Sequence, residues 1–149
     1  MSKQTKVGFT LLLSWLILLT FVCFAVANPY EYQVLRVIDG DTIEFQADFL
    51  PAPLKPKLSL RIVGIDTPEK GARAHCDEES LASLNAKLFV EQELSKASSI
   101  EIYIKDWDKY GGRVLGDLIV DGEALSTKLF RNGYAREYYG GQKSDWCSK

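Results

Sequence analysis

The sequence predicts a β-rich α+β domain that begins near Tyr32. Three observations lead to this fold class. Short apolar segments alternate with turn residues, three closely spaced prolines interrupt them at Pro51, Pro53 and Pro56, and apolar residues recur at helical spacing in two later segments. With 149 residues and 46% apolar content, the chain has room for a single core, so one functional site is expected.

The first elements read as a hairpin followed by a third strand. Tyr32 to Ile38 and Thr42 to Ala47 are predicted strands on either side of the turn Asp39-Gly40-Asp41. The prolines forbid regular structure in the next loop. Lys57 to Ile65 then resumes as a strand with apolar residues on both faces, which indicates a buried position.

Two helices and two more strands complete the prediction. Asp77 to Ala97 is a predicted helix whose apolar residues are Leu81, Leu84, Leu88 and Phe89. Ser99 to Ile104 and Arg113 to Val120 are predicted strands joined by a polar loop, Lys105 to Gly112. Ala124 to Asn132 is a short helix ended by Gly133. Five strands with these helices fit a closed barrel such as an OB-fold, and they fit other α+β arrangements equally well.

The first 27 residues have the layout of a secretory signal peptide. Lys3 and Lys6 precede an uncharged apolar run from Val7 to Ala27, which ends in Ala25-Val26-Ala27. The run is nearly as long as the ~20 residues that span a bilayer, so an uncleaved membrane anchor is the alternative. Either interpretation places the predicted domain, residues 28–149, outside the cytoplasm, as a periplasmic or extracellular protein or at a membrane surface.

Cysteine usage and charge fit export. Cys23 lies in the predicted signal peptide, so Cys76 and Cys147 would remain to form one disulfide, with two buried free thiols as the alternative. Loss of Lys3 and Lys6 would change the net charge from −2 to −4. A protein that binds nucleic acid mainly through counterion release is normally basic, so such a partner would have to be held locally, by a metal ion and a few arginines.

Four acidic residues lie at or beside predicted turns, where strand ends converge: Asp39, Asp41, Asp66 and Glu69. An Asp-Gly sequence alone commonly marks a tight turn, but Asp66 and Glu69 follow a strand predicted to be buried. Hard cations such as Ca²⁺ bind several carboxylate or carbonyl oxygens, which two aspartates from separate strand ends and a backbone carbonyl would supply. His75 and two separated cysteines form no zinc pattern.

Arg61 and Arg113 are the cationic residues that stand out from their surroundings. Arg61 lies within the apolar strand, where a guanidinium needs a carboxylate, a bound anion or solvent as its partner. A structural ion pair with Asp66 or Glu69 is the alternative to a functional role. Arg113 follows the loop 108–112, and two arginines can bind the oxygens of one phosphate and stabilise its additional charge in a transition state.

Three motifs, in this order, resemble the staphylococcal-nuclease-like (thermonuclease) family. They are Val37-Ile38-Asp39-Gly40-Asp41-Thr42, then Leu60-Arg61-Ile62-Val63-Gly64-Ile65-Asp66-Thr67-Pro68-Glu69, then Asp108-Lys109-Tyr110-Gly111-Gly112-Arg113. The resemblance extends from about residue 32 to about residue 139. It implies a five-stranded OB-fold barrel with packed helices, and a Ca²⁺-dependent hydrolase that cleaves the phosphodiester bonds of DNA and RNA and leaves 3′-phosphate ends.

The resemblance also implies a role for individual residues. The calcium ligands would be the carboxylates of Asp41 and Asp66 and the backbone carbonyl of Thr67, while Asp39 lies near the metal with a less direct role. The catalytic group would be Glu69 as general base with Arg61 and Arg113 on the phosphate. Lys109 and Tyr110 would line the nucleotide pocket, with Tyr138 or Tyr139 as its aromatic wall. The chain departs from the shortest form of the third motif by one extra residue, Gly112.

Two alternatives compete with this enzyme. One is a catalytically silent module of the same fold that binds nucleic acid or a protein, and the other is a phosphodiesterase for small nucleotides or lipid head groups. The five key positions, Arg61, Asp41, Asp66, Glu69 and Arg113, are all present and favour a nuclease. A monomer is expected, with DNA and RNA as substrates, no stable protein partner, and a membrane contact only if the N-terminal segment stays uncleaved.

Overall fold

The first three strands form an antiparallel unit that carries the acidic turn. The computed structural model describes residues 32–147, so the predicted signal peptide, residues 1–27, lies outside the described residues. Strand β1 (Val34–Asp39) pairs with β2 (Thr42–Gln46), and β2 pairs with β3 (Lys57–Ile62). The hairpin around Gly40 and Asp41 therefore forms as the sequence predicts.

The predicted strand from Lys57 to Ile65 is interrupted at Gly64. This residue has a positive φ of 79°, a conformation that favours glycine, and it turns the chain out of β3. Ile65–Asp66 then forms a separate short strand, β4. The prediction of one continuous strand was wrong. Both segments contain buried apolar residues, so the hydrophobicity pattern continues across the turn that separates them.

Two longer strands extend the sheet on the other side of β3. Strand β5 (Ile100–Trp107) is antiparallel to β6 (Arg113–Val120), which lies parallel to β3, and β7 (Glu123–Ala124) pairs with β6. The sheet order is β1-β2-β3-β6-β5. Because β5 reaches Trp107, the connecting loop is 108–112 and is shorter than predicted. Within residues 32–147 no ladder joins β5 to β1, so closure into a barrel stays a prediction.

The helices confirm the predicted positions but not the predicted buried face. Helix α1 is Asp77–Lys96 and α2 is Leu125–Arg131, while Gly71–Arg73 forms a short 3-10 turn. The residues of α1 that are buried are Glu79, Ser83, Ala86 and Val90, whereas Leu81, Leu84 and Leu88 are exposed. The small Ala86 allows a close approach to the acidic turn, since a Cβ on Gly40 would lie 2.9 Å from the Ala86 Cβ.

The core lies on the inner face of the sheet, beneath both helices. Alternate residues of β6 are buried, and the fully buried side chains of the core include Ile43, Phe45, Leu60, Leu118, Leu125 and Leu129. A last short strand, β8 (Arg136–Glu137), pairs with β4 and brings the C-terminal segment beside Asp66. In the part of the chain that the structure describes, no helix has the length and apolar character to cross a membrane.

Candidate functional site

A polar cleft of about 520 Å³ opens where the ends of β2, β3 and β6 converge. Eight of the predicted site residues line it: Asp41, Arg61, Thr67, Glu69, Lys109, Tyr110, Arg113 and Tyr138. Asp66 is 1% exposed and lies behind the cleft wall. The tertiary structure thus brings together residues that are separated by almost 100 positions in the chain.

The two predicted metal-binding aspartates are buried and tightly held. One oxygen of Asp41 accepts hydrogen bonds from the backbone N–H of Thr67 (3.3 Å) and from its hydroxyl (3.0 Å), and the other accepts one from the Thr42 hydroxyl. Asp66 lies in β4, and its Oδ2 accepts a hydrogen bond from the Trp146 indole at 3.4 Å. Both carboxylates come from strand ends, as the sequence predicts.

Arg61 compensates the negative charge of these aspartates. Its guanidinium contacts Asp41 directly, and a second nitrogen lies 3.9 Å from Asp66 Oδ1. Burial lowers the pKa of the Arg61 guanidinium, while the carboxylates of Asp66 and Asp39 favour its charged form. Arginine remains protonated under such opposing effects. The ion pair that was an alternative in the sequence is therefore present, and the same side chain still lines the cleft.

Arg113 is oriented by the loop that precedes it. Its Nε donates to Asp108 Oδ2 at 2.6 Å, and its guanidinium lies 5.1 Å from the centre of the Tyr110 ring. Burial opposes ionisation of Asp108, but the hydrogen bonds from Arg113 and the Tyr110 N–H, together with the charges of Arg113 and Lys109, outweigh it and lower the pKa of Asp108. The extra residue Gly112 has a φ of 78° and still leaves Arg113 in register with Ser59 of β3. The longer loop therefore keeps Arg113 at the cleft.

Glu69 lies between two cations at the edge of the cleft. Its Oε2 is 3.1 Å from Arg73 Nε, and its Oε1 is 2.7 Å from Lys143 Nζ. The backbone N–H of Glu69 donates to Glu79 Oε1 at 3.1 Å, and the N–H of His75 donates to Glu79 Oε2 at 2.7 Å. The buried Glu79 thus fixes both ends of the loop that presents Glu69.

The C-terminal segment contributes directly to the site. Cys76 and Cys147 form the disulfide that the sequence suggested, with Cα atoms 6.0 Å apart. Lys143 Nζ lies 2.8 Å from Asp66 Oδ1. Burial opposes the charge of Lys143, but the combined attraction of the Asp66 and Glu69 carboxylates outweighs that effect and raises its pKa. This segment therefore places a cation against a predicted metal ligand and the predicted base.

The predicted nucleotide-binding residues lie at the rim. Lys109 and Tyr110 are exposed and contact each other, with the ammonium 5.1 Å from the ring centre. Tyr138 lines the cleft, and its hydroxyl donates to the Gly141 carbonyl at 3.1 Å. Tyr139 is 86% exposed and does not line the cleft. Of the two tyrosines, Tyr138 is therefore the one positioned to contact a ligand.

The donor set suits a hard cation rather than a transition metal. Among residues 32–147 there is no cluster of three His, Cys, Asp or Glu arranged to hold a metal ion. Two buried carboxylates and a carbonyl would leave positions for water or phosphate, as Ca²⁺ allows. Asp66 Oδ1 is buried and has no partner with hydrogen-bond geometry, although the Lys143 ammonium is near it. Such an oxygen fits a ligand role for Asp66.

The match to a protein family decides the assignment of this chain. Residues 59–147, more than half of the chain, match the family described as "Staphylococcal nuclease homologue". The chain belongs to the staphylococcal nuclease family. Membership agrees with the order of the three motifs and with the mixed sheet and two helices.

Two relatives are similar to this member of the staphylococcal nuclease family. Endonuclease YhcR of Bacillus subtilis (strain 168) is 33% identical over 118 residues, which cover 75% of this chain and 9% of that protein. Thermonuclease of Staphylococcus hyicus is 32% identical over 111 residues, which cover 74% of this chain and 60% of that protein. The chain thus spans less than two thirds of either relative.

Sequence reasoning missed three side chains that complete the site: Arg73, Glu79 and Lys143. Glu79 left a weak signal, because it is the third residue after Cys76, whose sulfur accepts a hydrogen bond from the Glu79 N–H at the start of α1. Lys143 left no signal, since it lies 74 positions from Glu69. Trp146 left no signal either, since its hydrogen bond to Asp66 joins residues 80 positions apart.

Proposed function

We propose that this protein is an exported Ca²⁺-dependent nuclease that hydrolyses the phosphodiester bonds of DNA and RNA. The observation that carries the proposal is the convergence of Arg61, Arg113 and Glu69 on one cleft beside Asp41. Membership of the staphylococcal nuclease family and the names of the two relatives, an endonuclease and a thermonuclease, support it.

In the proposed site, the arginines bind the scissile phosphate and Glu69 accepts a proton. Asp41, Asp66 and the Thr67 carbonyl would hold Ca²⁺, which would supply positive charge that favours ionisation of water and stabilises the phosphate. Glu69 takes a proton from that water as its oxygen bonds to phosphorus. The bond from phosphorus to the 5′-oxygen breaks, and that oxygen takes up a proton from solvent, which leaves a 3′-phosphate and a 5′-hydroxyl.

Arg61 and Arg113 stabilise the charge that develops on the phosphate. Arg61 is already desolvated and oriented by Asp41, and Arg113 is oriented by Asp108, so neither loses much conformational freedom when a phosphate binds. Donors oriented in advance stabilise a transition state more than mobile ones do. Lys109 and Tyr110 lie at the rim, where they can contact the nucleotide next to the scissile bond.

Digestion of plasmid DNA and of RNA, with Ca²⁺ and then with EGTA, tests the activity. Glu69→Gln and Arg113→Ala should each lower kcat by a factor of about 10² to 10³. Two variants are controls expected to cleave normally: Glu78→Gln, at an exposed glutamate of α1, and Arg131→Ala, at the end of α2, where Arg131 pairs with Glu123 of β7. Nucleic-acid binding without cleavage by the wild-type protein would contradict the enzyme and favour the silent binding module.

Export is a separate part of the proposal. The Cys76–Cys147 disulfide supports it, because such bonds persist mainly in oxidising compartments. Mass spectrometry of the protein from fractionated cells should find a mature form that begins at Asn28 in the periplasm or medium. Recovery of an intact chain from the membrane fraction would favour the anchored alternative.

A further inference from the structure

The segment after β8 is held over the candidate site by three separate contacts. Cys147 is bonded to Cys76 at the start of α1, the Trp146 ring lies 4.0 Å from the Arg136 guanidinium, and the Trp146 indole donates to Asp66. Arg136 also donates to the Asp145 carbonyl at 2.7 Å. We refer to residues 138–147 as the C-terminal tail. Its position over β4 is therefore part of the fold.

Lys143 of this tail lines the cleft of the candidate site. Its ammonium bridges Asp66 Oδ1 at 2.8 Å and Glu69 Oε1 at 2.7 Å, while its side chain remains 43% exposed at the cleft. The Asp66 side chain is only 2% exposed. A buried carboxylate is costly without a counter-charge, and Arg61 is more distant from Asp66 than Lys143 is. Lys143 is therefore the closest compensating cation for Asp66.

We propose that Lys143 is a further substrate-binding residue, which neutralises Asp66 and Glu69 in the metal-free protein and moves to the substrate phosphate when a cation binds Asp66. The inference rests on the proposed function, since it assigns Asp66 to the metal. It adds a cationic residue to the predicted arginines, and it makes the disulfide-bonded tail a component of the site.

Lys143 and a bound cation would compete for the same atom, Asp66 Oδ1. Ca²⁺ binds carboxylate oxygens at about 2.3–2.6 Å, and an ammonium 2.8 Å from the same Asp66 oxygen would repel it. Lys143 has a flexible four-carbon stem, and it already lines the cleft with Arg61 and Arg113. Its departure also frees Glu69 Oε1 to accept a proton. Metal binding, activation of Glu69 and phosphate binding would thus be coupled through one side chain.

Tb³⁺ titration tests the metal part of this inference without any cleavage. Trp146 donates to Asp66, so Tb³⁺ bound at Asp66 should show luminescence sensitised by Trp146, and Trp146→Phe should abolish most of that signal. Lys143→Gln should bind Tb³⁺ about tenfold more tightly than the wild type, because no internal cation competes. Ca²⁺ should displace Tb³⁺ from both proteins. Equal Tb³⁺ affinities in the two proteins would overturn the inference.

Two further variants separate direct competition from a general effect of charge. Lys143→Arg keeps the cation and should retain an affinity near that of the wild type. Lys70→Gln removes a cation that lines the same cleft but contacts the Ile38 carbonyl and Asp39, so it should raise Tb³⁺ affinity much less. A rise with Lys70→Gln as large as that with Lys143→Gln would contradict displacement of Lys143.

Steady-state kinetics at saturating Ca²⁺ test the substrate part. Lys143→Gln should raise KM for DNA about tenfold, since a charged contact to phosphate is lost. Lys143→Arg keeps the charge, so its KM should be close to that of the wild type. An unchanged KM in an active Lys143→Gln enzyme would overturn substrate binding by Lys143 and leave the nuclease proposal intact. Conversely, a wild-type protein that binds Tb³⁺ but cleaves nothing would contradict the nuclease proposal. The Tb³⁺ titrations would still measure whether Lys143 competes with the metal ion for Asp66.

Discussion

Arg61 shows how one side chain serves packing and chemistry together. It occupies a strand whose neighbours are buried and apolar, and its charge is compensated by Asp41 and Asp66. The sequence predicted that such a guanidinium needs a partner, and it left open whether that partner was a protein carboxylate or a ligand. The structure provides the carboxylates and still leaves the guanidinium facing the cleft.

Asp117 carries a half-buried carboxylate that the site does not use. Burial raises its pKa above the ordinary value, although the Leu118 N–H and the N–H and hydroxyl of Ser126 all donate to the carboxylate. The folded state therefore binds this proton more tightly than the unfolded state. Asp117 favours folding most below its unfolded pKa of about 3.9, and this contribution is lost as the pH rises through the higher folded pKa.

Asp117→Asn should remove this pH dependence. The amide oxygen can keep the backbone N–H donors, and the amide nitrogen can donate to the Ser126 hydroxyl. Chemical denaturation between pH 4 and pH 7 should show the variant gaining stability relative to the wild type as the pH rises. A constant difference in the free energy of unfolding across this range would contradict the raised pKa.

Helix α1 shows the limit of periodicity as a predictor. Its bounds agree with the predicted segment within one residue, yet the face with Leu81, Leu84 and Leu88 is exposed. The buried face contains Ser83 and Ala86, and Ala86 is small enough to approach the turn at Gly40. A helix face that packs closely against a backbone turn needs small side chains. Such residues need not be the most hydrophobic ones, so hydrophobic spacing does not predict this face.

The first turn of α1 supports the candidate site through Glu79. Glu79→Gln should destabilise the protein by about 1–3 kcal/mol, because one of the two N–H donors, of Glu69 or His75, would face an amide NH₂ at the buried end of this side chain. It should also lower kcat, since the loop that positions Glu69 would lose one of its hydrogen bonds to residue 79. Urea denaturation and nuclease assays measure these effects.

Glu78→Gln is the matched control for this prediction. It removes the same charge from the same helical turn, but its side chain is exposed. Any effect of the charge on the helix dipole is therefore similar in both variants. If Glu79→Gln were as stable and active as Glu78→Gln, the support from Glu79 would be disproved.

At the scale of the whole molecule, one covalent bond joins the tail to the site. The Cys76–Cys147 disulfide closes a segment with a sequence separation of 71. In the chain-entropy model its loss should lower the free energy of unfolding by about 4 kcal/mol. Guanidinium denaturation with and without a reductant measures this difference, and Cys76→Ala/Cys147→Ala should resemble the reduced protein. Equal midpoints for oxidised and reduced protein would contradict a structural role for the bond.

The sequence by itself determined the local elements and most of the candidate site. Turn residues, prolines and apolar spacing predicted the hairpin, β6 and both helices, because these signals act between residues close in the chain. The order of three motifs identified Asp41, Arg61, Thr67, Glu69, Tyr110 and Arg113, which line one cleft. Asp66 was identified in the same way, although its burial behind the cleft was not.

Only the tertiary structure decided which distant groups meet. The reversal at Gly64, the pairing of β4 with β8, the exposed face of α1 and the contacts of Glu79 and Lys143 all depend on segments far apart in the sequence. No periodicity encodes a contact between a lysine and a glutamate 74 positions away. Such contacts arise when the sheet, the helix and the disulfide fix the path of the chain together, and that path placed Lys143 against Asp66.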